Sequence, residues 1–200
     1  MTTSDIDPAF TLAGYRFELP EEQIARRPPE RRRDARLMVL EKAAKAPAHK
    51  QFTDILYHIG ENDCLVLNDT SVLPARLFAN KAESGGRVEV LLCREEDDGT
   101  WLALLNASKK VKEGGRLVFH ASPSSGPFFA QVVAKADDEP GGYRLRFEGD
   151  ARIYAQMFGA MPLPPYIDRP DDEDDRERYQ TVFRDPQKAS SAAAPTAGLH

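Results

Sequence analysis

The sequence has 200 residues, a net charge of −5 and an apolar fraction of 41%. These values are typical of a globular protein, and the length allows one large or two small domains with packed cores. The acidic balance argues against a protein that coats nucleic acid nonspecifically, although it leaves room for a local basic patch. No apolar run approaches the length of a membrane span, so we expect no membrane partner.

The two cysteines and four histidines exclude some classes of site. Cys64 and Cys93 lie in apolar, strand-like runs, which favours buried thiols in a reducing cytoplasm over a disulfide. The histidines are scattered without metal-ligand spacing. We therefore expect no metal site.

The first distinctive stretch is rich in arginine. Arg26 to Arg36 holds six arginines, and Pro28 and Pro29 prevent a continuous helix there. One interpretation is a solvated loop whose arginines pair with nearby acids such as Glu30 and Asp34. The other is a patch that contacts phosphates, because guanidinium forks suit phosphate oxygens. The residues alone favour neither.

A short apolar run, Cys64–Leu67, is predicted to be a buried strand because turn-prone residues bound it. Asn68, Asp69 and Thr70 stand at its end, and Arg76 follows shortly after Pro74. Open α/β sheets bind ligands just past strand ends, so these side chains are candidates for a site. Spacing alone favours a plain polar turn between two strands.

From Arg76 the pattern changes to short strands separated by glycine-rich turns. With no helical period between them, such runs predict a small antiparallel barrel or sandwich. Lys109, Lys110 and Lys112 lie on the loop between the third and fourth runs, where they are either simply solvated or follow a nucleic-acid backbone. The six runs are Arg76–Ala79, Arg87–Cys93, Trp101–Leu105, Arg116–Phe119, Phe128–Ala134 and Tyr143–Phe147.

The helical period returns after Gly149. Ile153, Met157 and Phe158 form an apolar stripe. Three prolines within Met161–Ile167 then impose an extended, rigid segment. The acidic run Asp171–Asp175 precedes basic residues, which suits the start of a solvated helix.

The last stretch, Ser190–His200, consists mostly of small residues. Small residues allow a ligand to approach the backbone closely, and the alternative is a disordered, alanine-rich end. A domain rarely finishes on such a segment, so we expect the chain to stop inside a domain.

Four motif blocks stand in order along the chain, and the amino-terminal pattern Phe17–Pro20 precedes them. The blocks are Leu67–Thr70 with Pro74–Leu77, Met161–Ile167, Asp175–Val182, and Ala193–His200. Together they closely resemble the S-adenosylmethionine:tRNA ribosyltransferase-isomerase family of queuosine biosynthesis. Any one block would be a weak signal, but four in register are a strong one.

This resemblance implies an α/β fold with an inserted six-stranded antiparallel β-barrel. The α/β domain would comprise residues 1–73 and 150–200, with the barrel at 74–149. Members of the family continue beyond the equivalent of His200, so we expect this chain to be an amino-terminal part. An inactive fragment that binds RNA or a partner is the alternative function.

The implied reaction transfers the ribosyl group of S-adenosylmethionine to 7-aminomethyl-7-deazaguanine at the tRNA wobble position. The product is epoxyqueuosine, and adenine and methionine are released. S-adenosylmethionine is a co-substrate, and no metal is needed because the sulfonium supplies the electrophilic activation. The partners would be this tRNA and S-adenosylmethionine, with the protein a cytoplasmic monomer.

Matched motif positions and basic stretches give three sets of candidate site residues. The catalytic set is Asp69 and His200, as base or acid. The substrate-binding set is Asn68, Thr70, Arg76, Arg178, Tyr179, Gln180, Pro195, Thr196 and Gly198. The tRNA-binding set is Arg26, Arg27, Arg31, Arg32, Arg33, Lys109, Lys110 and Lys112.

Overall fold

The computed structural model of the chain describes residues 7, 10–120 and 126–200. These residues form ten strands and two α-helices, with short 3-10 turns between them. The strands are β1 Arg36–Val39, β2 Ala48–Gln51, β3 Thr70–Val72, β4 Arg76–Lys81, β5 Arg87–Glu95, β6 Trp101–Asn106, β7 Arg116–Phe119, β8 Phe128–Lys135, β9 Gly142–Phe147 and β10 Asp185–Ser191. The α-helices are α1 Ala151–Phe158 and α2 Glu173–Arg178.

Strands β4 to β9 close into an antiparallel barrel in the order β4-β5-β6-β9-β8-β7. All six predicted runs are strands, and the described residues from Arg87 to Phe147 contain no helix. Tight turns at Gly85 and Gly141 place these glycines at φ values of 67° and 80°, which side chains with a Cβ rarely adopt. The barrel predicted from alternation and turn chemistry is therefore confirmed.

The barrel is inserted between two strands that pair with each other. β3 precedes it and β10 follows it, and the two run parallel with Thr70 opposite Asp185 and Val72 opposite Ser191. A separate antiparallel hairpin joins β1 to β2. The fold class is thus an α/β domain with an inserted six-stranded barrel, as the sequence predicts.

Helix α1 closes one end of the barrel through an aromatic stack. The ring of Tyr154 lies parallel to that of Phe128, with 4.4 Å between centroids, and both rings contact Phe119 in the core. The predicted helix is confirmed, but its apolar stripe does not form the contact with the core: Met157 is 63% exposed, and the buried positions are Ala151 and Ala155. Small side chains occupy the buried positions because they let α1 approach the barrel closely.

The prediction of a buried strand at Cys64–Leu67 is also wrong. These residues have irregular backbone, and Val66 is 87% exposed. Cys64 is exposed as well, whereas Cys93 is half-buried and burial raises the pKa of its thiol. The regular pairing starts only at Thr70, because β10 offers its partner positions there.

Among the described residues, every helix falls short of the length and apolar character that crossing a bilayer requires.

Gly159 tests how tightly the barrel and α1 fit. A Cβ at this position would overlap the carbonyl oxygen of Pro74 and lie 2.6 Å from that of Ala155, and neither backbone atom can move freely. We expect Gly159→Ala to lower the free energy of unfolding by about 1–3 kcal/mol, measured by urea denaturation. Gly126→Ala is the control, since nothing lies within 4 Å of its added methyl. Equal stability of the two variants would contradict the tight contact.

Candidate functional site

Many predicted site residues lie around one cavity of about 280 Å³, near the lower end of the range for small-molecule sites. Four stretches of the chain form its walls: residues 25–32, the proline-rich segment, the end of α2 and the carboxyl-terminal turn. The lining is mainly apolar and includes the rings of Tyr166 and Tyr179 beside Leu163 and Leu199. A flat, apolar group fits such walls.

Members of all three predicted sets of residues meet at this cavity. The catalytic and substrate-binding sets contribute Arg178, Tyr179, Thr196 and His200. The tRNA-binding set contributes Arg26, Arg27 and Arg32. The His200 ring is exposed and also contacts the ring of Phe52, with centroids 5.3 Å apart.

Arg32 ties the walls of the cavity together. Its guanidinium donates hydrogen bonds to the backbone carbonyls of Glu177, Gln180 and Leu199, at 2.7–2.8 Å. Burial, together with the nearby Arg178 cation, lowers the pKa of Arg32. Arg32 is thus engaged with carbonyl dipoles of the protein itself.

Arg178 makes the reciprocal connection. Its guanidinium donates to the carbonyls of Pro29 and Glu30, in the segment that carries Arg32. Two arginines from opposite walls thereby fasten residues 29–32 to residues 177–199.

A largely buried ion pair forms part of the cavity wall. Arg169 donates to both carboxylate oxygens of Asp175, at 2.6 and 2.8 Å, and to the carbonyl of Arg26. Asp175 is only 4% exposed and also accepts from the backbone N–H of Asp172, as part of a capping box at α2. The hydrogen bonds from Arg169 hold the pKa of Asp175 below its usual value.

The remaining basic residues fall into two groups. Arg26 and Arg27 form ion pairs with Asp168 and Asp172 at the cavity rim, and Arg31 pairs with Asp34. Arg33 is exposed, and its side chain contacts no partner among the described residues.

The lysines of the predicted tRNA-binding set lie on the barrel, around a separate hollow of about 210 Å³. There the Lys81 ammonium donates to the carbonyls of Lys109 and Lys110 and holds their loop. Lys112 lines the same hollow.

Asn68, Asp69 and Thr70 lie at the start of β3 and do not line the cavity. The Asp69 carboxylate is exposed and accepts a hydrogen bond from the Lys188 ammonium, which lowers the pKa of Asp69. The Thr70 hydroxyl donates to the carbonyl of Lys188 at 2.8 Å, and Asn68 accepts from the N–H of Thr70. The three residues therefore form a local cluster with β10.

Other predicted substrate-binding residues make contacts within the protein. The Gln180 amide accepts from the N–H of Val72 at 2.8 Å and donates to its carbonyl at 2.9 Å, so the side chain acts as a strand partner of β3. A Cβ on Gly198 would lie 3.0 Å from the hydroxyl of Thr181 and 3.5 Å from Pro195. Arg76 lies on the barrel and pairs with Glu89 at 2.6 Å.

Comparison with known proteins identifies the family. Residues 12–200 match the family described as queuosine biosynthesis protein. The chain belongs to that family. This confirms the resemblance predicted from the four motif blocks.

One solved relative is S-adenosylmethionine tRNA ribosyltransferase from Thermotoga maritima. The two sequences are 32% identical, and the TM-score is 0.35. The match covers 76% of this chain and 51% of the relative. The chain therefore spans about half the length of that relative.

Sequence reasoning missed Tyr166, Arg169 and Asp175 as residues of the cavity, and it missed Lys188 as the partner of Asp69. Tyr166 was visible only as part of a proline-rich block, and no pattern marked Lys188 or Arg169 as a partner of a carboxylate. Asp175 belonged to an acidic run expected to be solvated, yet it is buried. The predicted helix is confirmed as α2, but only the tertiary fold singles out one of its acids.

The Arg169–Asp175 pair predicts a pH-dependent stability. The lowered pKa of Asp175 means that the carboxylate stabilises the fold above its unfolded pKa of about 3.9, and that this stabilisation is lost as pH falls through the folded pKa. We expect Asp175→Asn to lower the free energy of unfolding by about 2–4 kcal/mol at pH 7. The difference in free energy of unfolding between wild type and Asp175→Asn should shrink toward pH 3.

Urea denaturation at a series of pH values measures this gap. Asp174→Asn is the matched control, because the neighbouring Asp174 is exposed on the same helix. A gap for Asp175→Asn that is independent of pH would contradict the ion-pair interpretation.

Proposed function

We propose that the protein transfers the ribosyl group of S-adenosylmethionine to 7-aminomethyl-7-deazaguanine at the tRNA wobble position, giving epoxyqueuosine. The family match over residues 12–200 carries this proposal. The cavity supports it, because candidate residues for a small donor and for RNA line the same walls. A transfer between these two substrates requires such a meeting point.

The chemistry of the walls suits both substrates. The rings of Tyr166 and Tyr179 offer flat apolar faces for a purine or deazapurine ring. Arg26 and Arg27 stand at the rim, where a carboxylate or phosphate can replace their weak, exposed pairs with Asp168 and Asp172. The cavity therefore combines stacking surfaces with exchangeable cations.

The proposed reaction needs a group that moves a proton. A base removes a proton beside the sulfonium, adenine leaves, the acceptor amine captures the sugar carbon, and the epoxide closes as methionine departs. His200 lines the cavity and is our candidate for this transfer within it. Asp69 stays a predicted catalytic residue, although its lowered pKa makes it a weaker base and it lies outside this cavity.

The working form we propose is a cytoplasmic monomer with S-adenosylmethionine as co-substrate and no metal. The alternative is a chain that binds RNA or a partner without turnover.

Adenine release tests the proposal. Purified protein with S-adenosylmethionine and tRNA carrying the acceptor base should release adenine, and tRNA lacking that base should not support release. RNA binding without any release would favour the alternative function.

His200 and Asp69 can be separated in the same assay. We expect His200→Gln to slow adenine release by about 10²- to 10⁴-fold, the usual contribution of general acid–base catalysis, with tRNA affinity nearly unchanged. Asp69→Asn in parallel tests the other candidate. A His200→Gln variant with wild-type turnover would remove His200 from the proposed chemistry.

Arg33 tests the predicted RNA contacts without disturbing the cavity. Its side chain has no partner among the described residues, so Arg33→Ala should leave stability unchanged. If Arg33 contacts a phosphate, the log–log slope of tRNA affinity against salt should fall by about 1. Lys45→Ala, an exposed cation outside the predicted set, is the control. An unchanged slope in Arg33→Ala would exclude this contact.

A further inference from the structure

Phe78 is an aromatic ring that the barrel presents to solvent. It lies in β4 between Leu77 and Ala79, which are both in the core, and it is 59% exposed. Strand geometry explains the direction, because successive side chains point to opposite faces. A single exposed apolar residue is ordinary, so the surroundings of the ring decide whether it has a role.

The ring stands between two hollows. One, of about 560 Å³, lies between Arg76 and the proline-rich segment. The other, of about 500 Å³, is bordered by Asn80, Arg87 and His120. Phe78 lines both and so forms the ridge that separates them.

The first hollow adjoins the cavity of the proposed active site. Leu163, Pro164 and Arg169 line both of them, on either side of the proline-rich segment. A track therefore runs from the cavity across Leu163 and Pro164 to Phe78, and on toward Arg87.

The charges along this track leave Arg87 available to an anionic occupant. Each carboxylate already has a partner: Glu89 pairs with Arg76 at 2.6 Å, Asp168 pairs with Arg26, and Asp171 accepts a hydrogen bond from the backbone N–H of Met161 at 2.7 Å. Arg87 is exposed, and its side chain forms no hydrogen bond or ion pair with another described residue. Arg87 is therefore the cation that this track offers to a ligand.

The exposed Phe78 ring indicates that the ligand carries a flat apolar group as well as a negative charge. The Arg76 guanidinium lies 5.5 Å from the centroid of the Phe78 ring, and the ring side chain remains 59% exposed beside it. An exposed aromatic ring near an unpaired arginine can bind single-stranded nucleic acid through a stacked base and a phosphate. A protein helix or a lipid surface would need a broader apolar face than one ring.

We propose that Phe78 is a stacking platform for an unpaired tRNA nucleotide that flanks the nucleotide held in the cavity. The inference rests on the proposed function and extends it to a part of the barrel outside both predicted basic stretches. Arg87 contacts the phosphate of the same strand, and Phe78 contacts its base.

The test compares Phe78→Ala, Phe78→Tyr and Ile153→Ala for binding to the acceptor tRNA. Loss of one stacked base should weaken binding by about 10- to 100-fold in Phe78→Ala, while Phe78→Tyr keeps the ring and stays near wild type. Ile153→Ala removes an exposed apolar side chain from α1 and should have no effect. Thermal unfolding checks that all three variants fold alike.

Salt titrations distinguish stacking from charge. Phe78→Ala should keep the wild-type salt slope, because a base and not a phosphate loses its contact, whereas Arg87→Ala should lower the slope by about 1. Fluorescence of tRNA carrying 2-aminopurine at an unpaired anticodon-loop position should be quenched by wild type and less by Phe78→Ala.

Two results would overturn the inference: unchanged tRNA affinity in Phe78→Ala, or a loss of S-adenosylmethionine binding without a loss of tRNA binding. Adenine release by the wild-type protein is measured separately. Failure of the proposed function would appear there, whereas failure of the Phe78 platform would appear in tRNA binding by an otherwise active protein.

Discussion

The three hydrogen bonds from Arg32 to backbone carbonyls are the constraint on which the cavity depends. They join residues from α2, from the turn after it and from the carboxyl-terminal segment to one side chain near the amino terminus. Arg178 returns the connection to Pro29 and Glu30. Because carbonyl dipoles and not a carboxylate satisfy Arg32, its cation remains an electrostatic feature of the cavity wall.

The barrel provides a rigid frame for the proline-rich segment, which forms one wall of the cavity. A closed barrel leaves no strand edges, and the contact between Tyr154 and Phe128 fixes α1 against it. Arg76 and Ala160 then exchange backbone hydrogen bonds directly after α1, just before the proline-rich segment. The prolines restrict the backbone of that segment further, so this wall of the cavity has little conformational entropy to lose on folding.

The arginines near the amino terminus divide by their burial into two kinds. Arg32 is partly buried, and its three bonds hold the fold, so removing it would disturb structure and binding together. Arg26 and Arg27 pair with exposed carboxylates, and such pairs contribute little and exchange readily for a phosphate. Residues 26–32 therefore contain both an arginine that stabilises the fold and arginines that are candidates for contact with RNA.

The barrel, the helix α2 and the family are all predictable from the sequence, because turn glycines, strand alternation and motif blocks are local properties of the chain. The sequence could not determine that Gln180 would pair with Val72 or that Asp175 would be buried against Arg169, since these contacts depend on what long-range packing brings together. The same packing left Cys64–Leu67 exposed, because β10 offers partner positions only from Thr70 onward. It also decided that Arg26 and His200 share one cavity while Asp69 lies elsewhere, which no spacing in the sequence records.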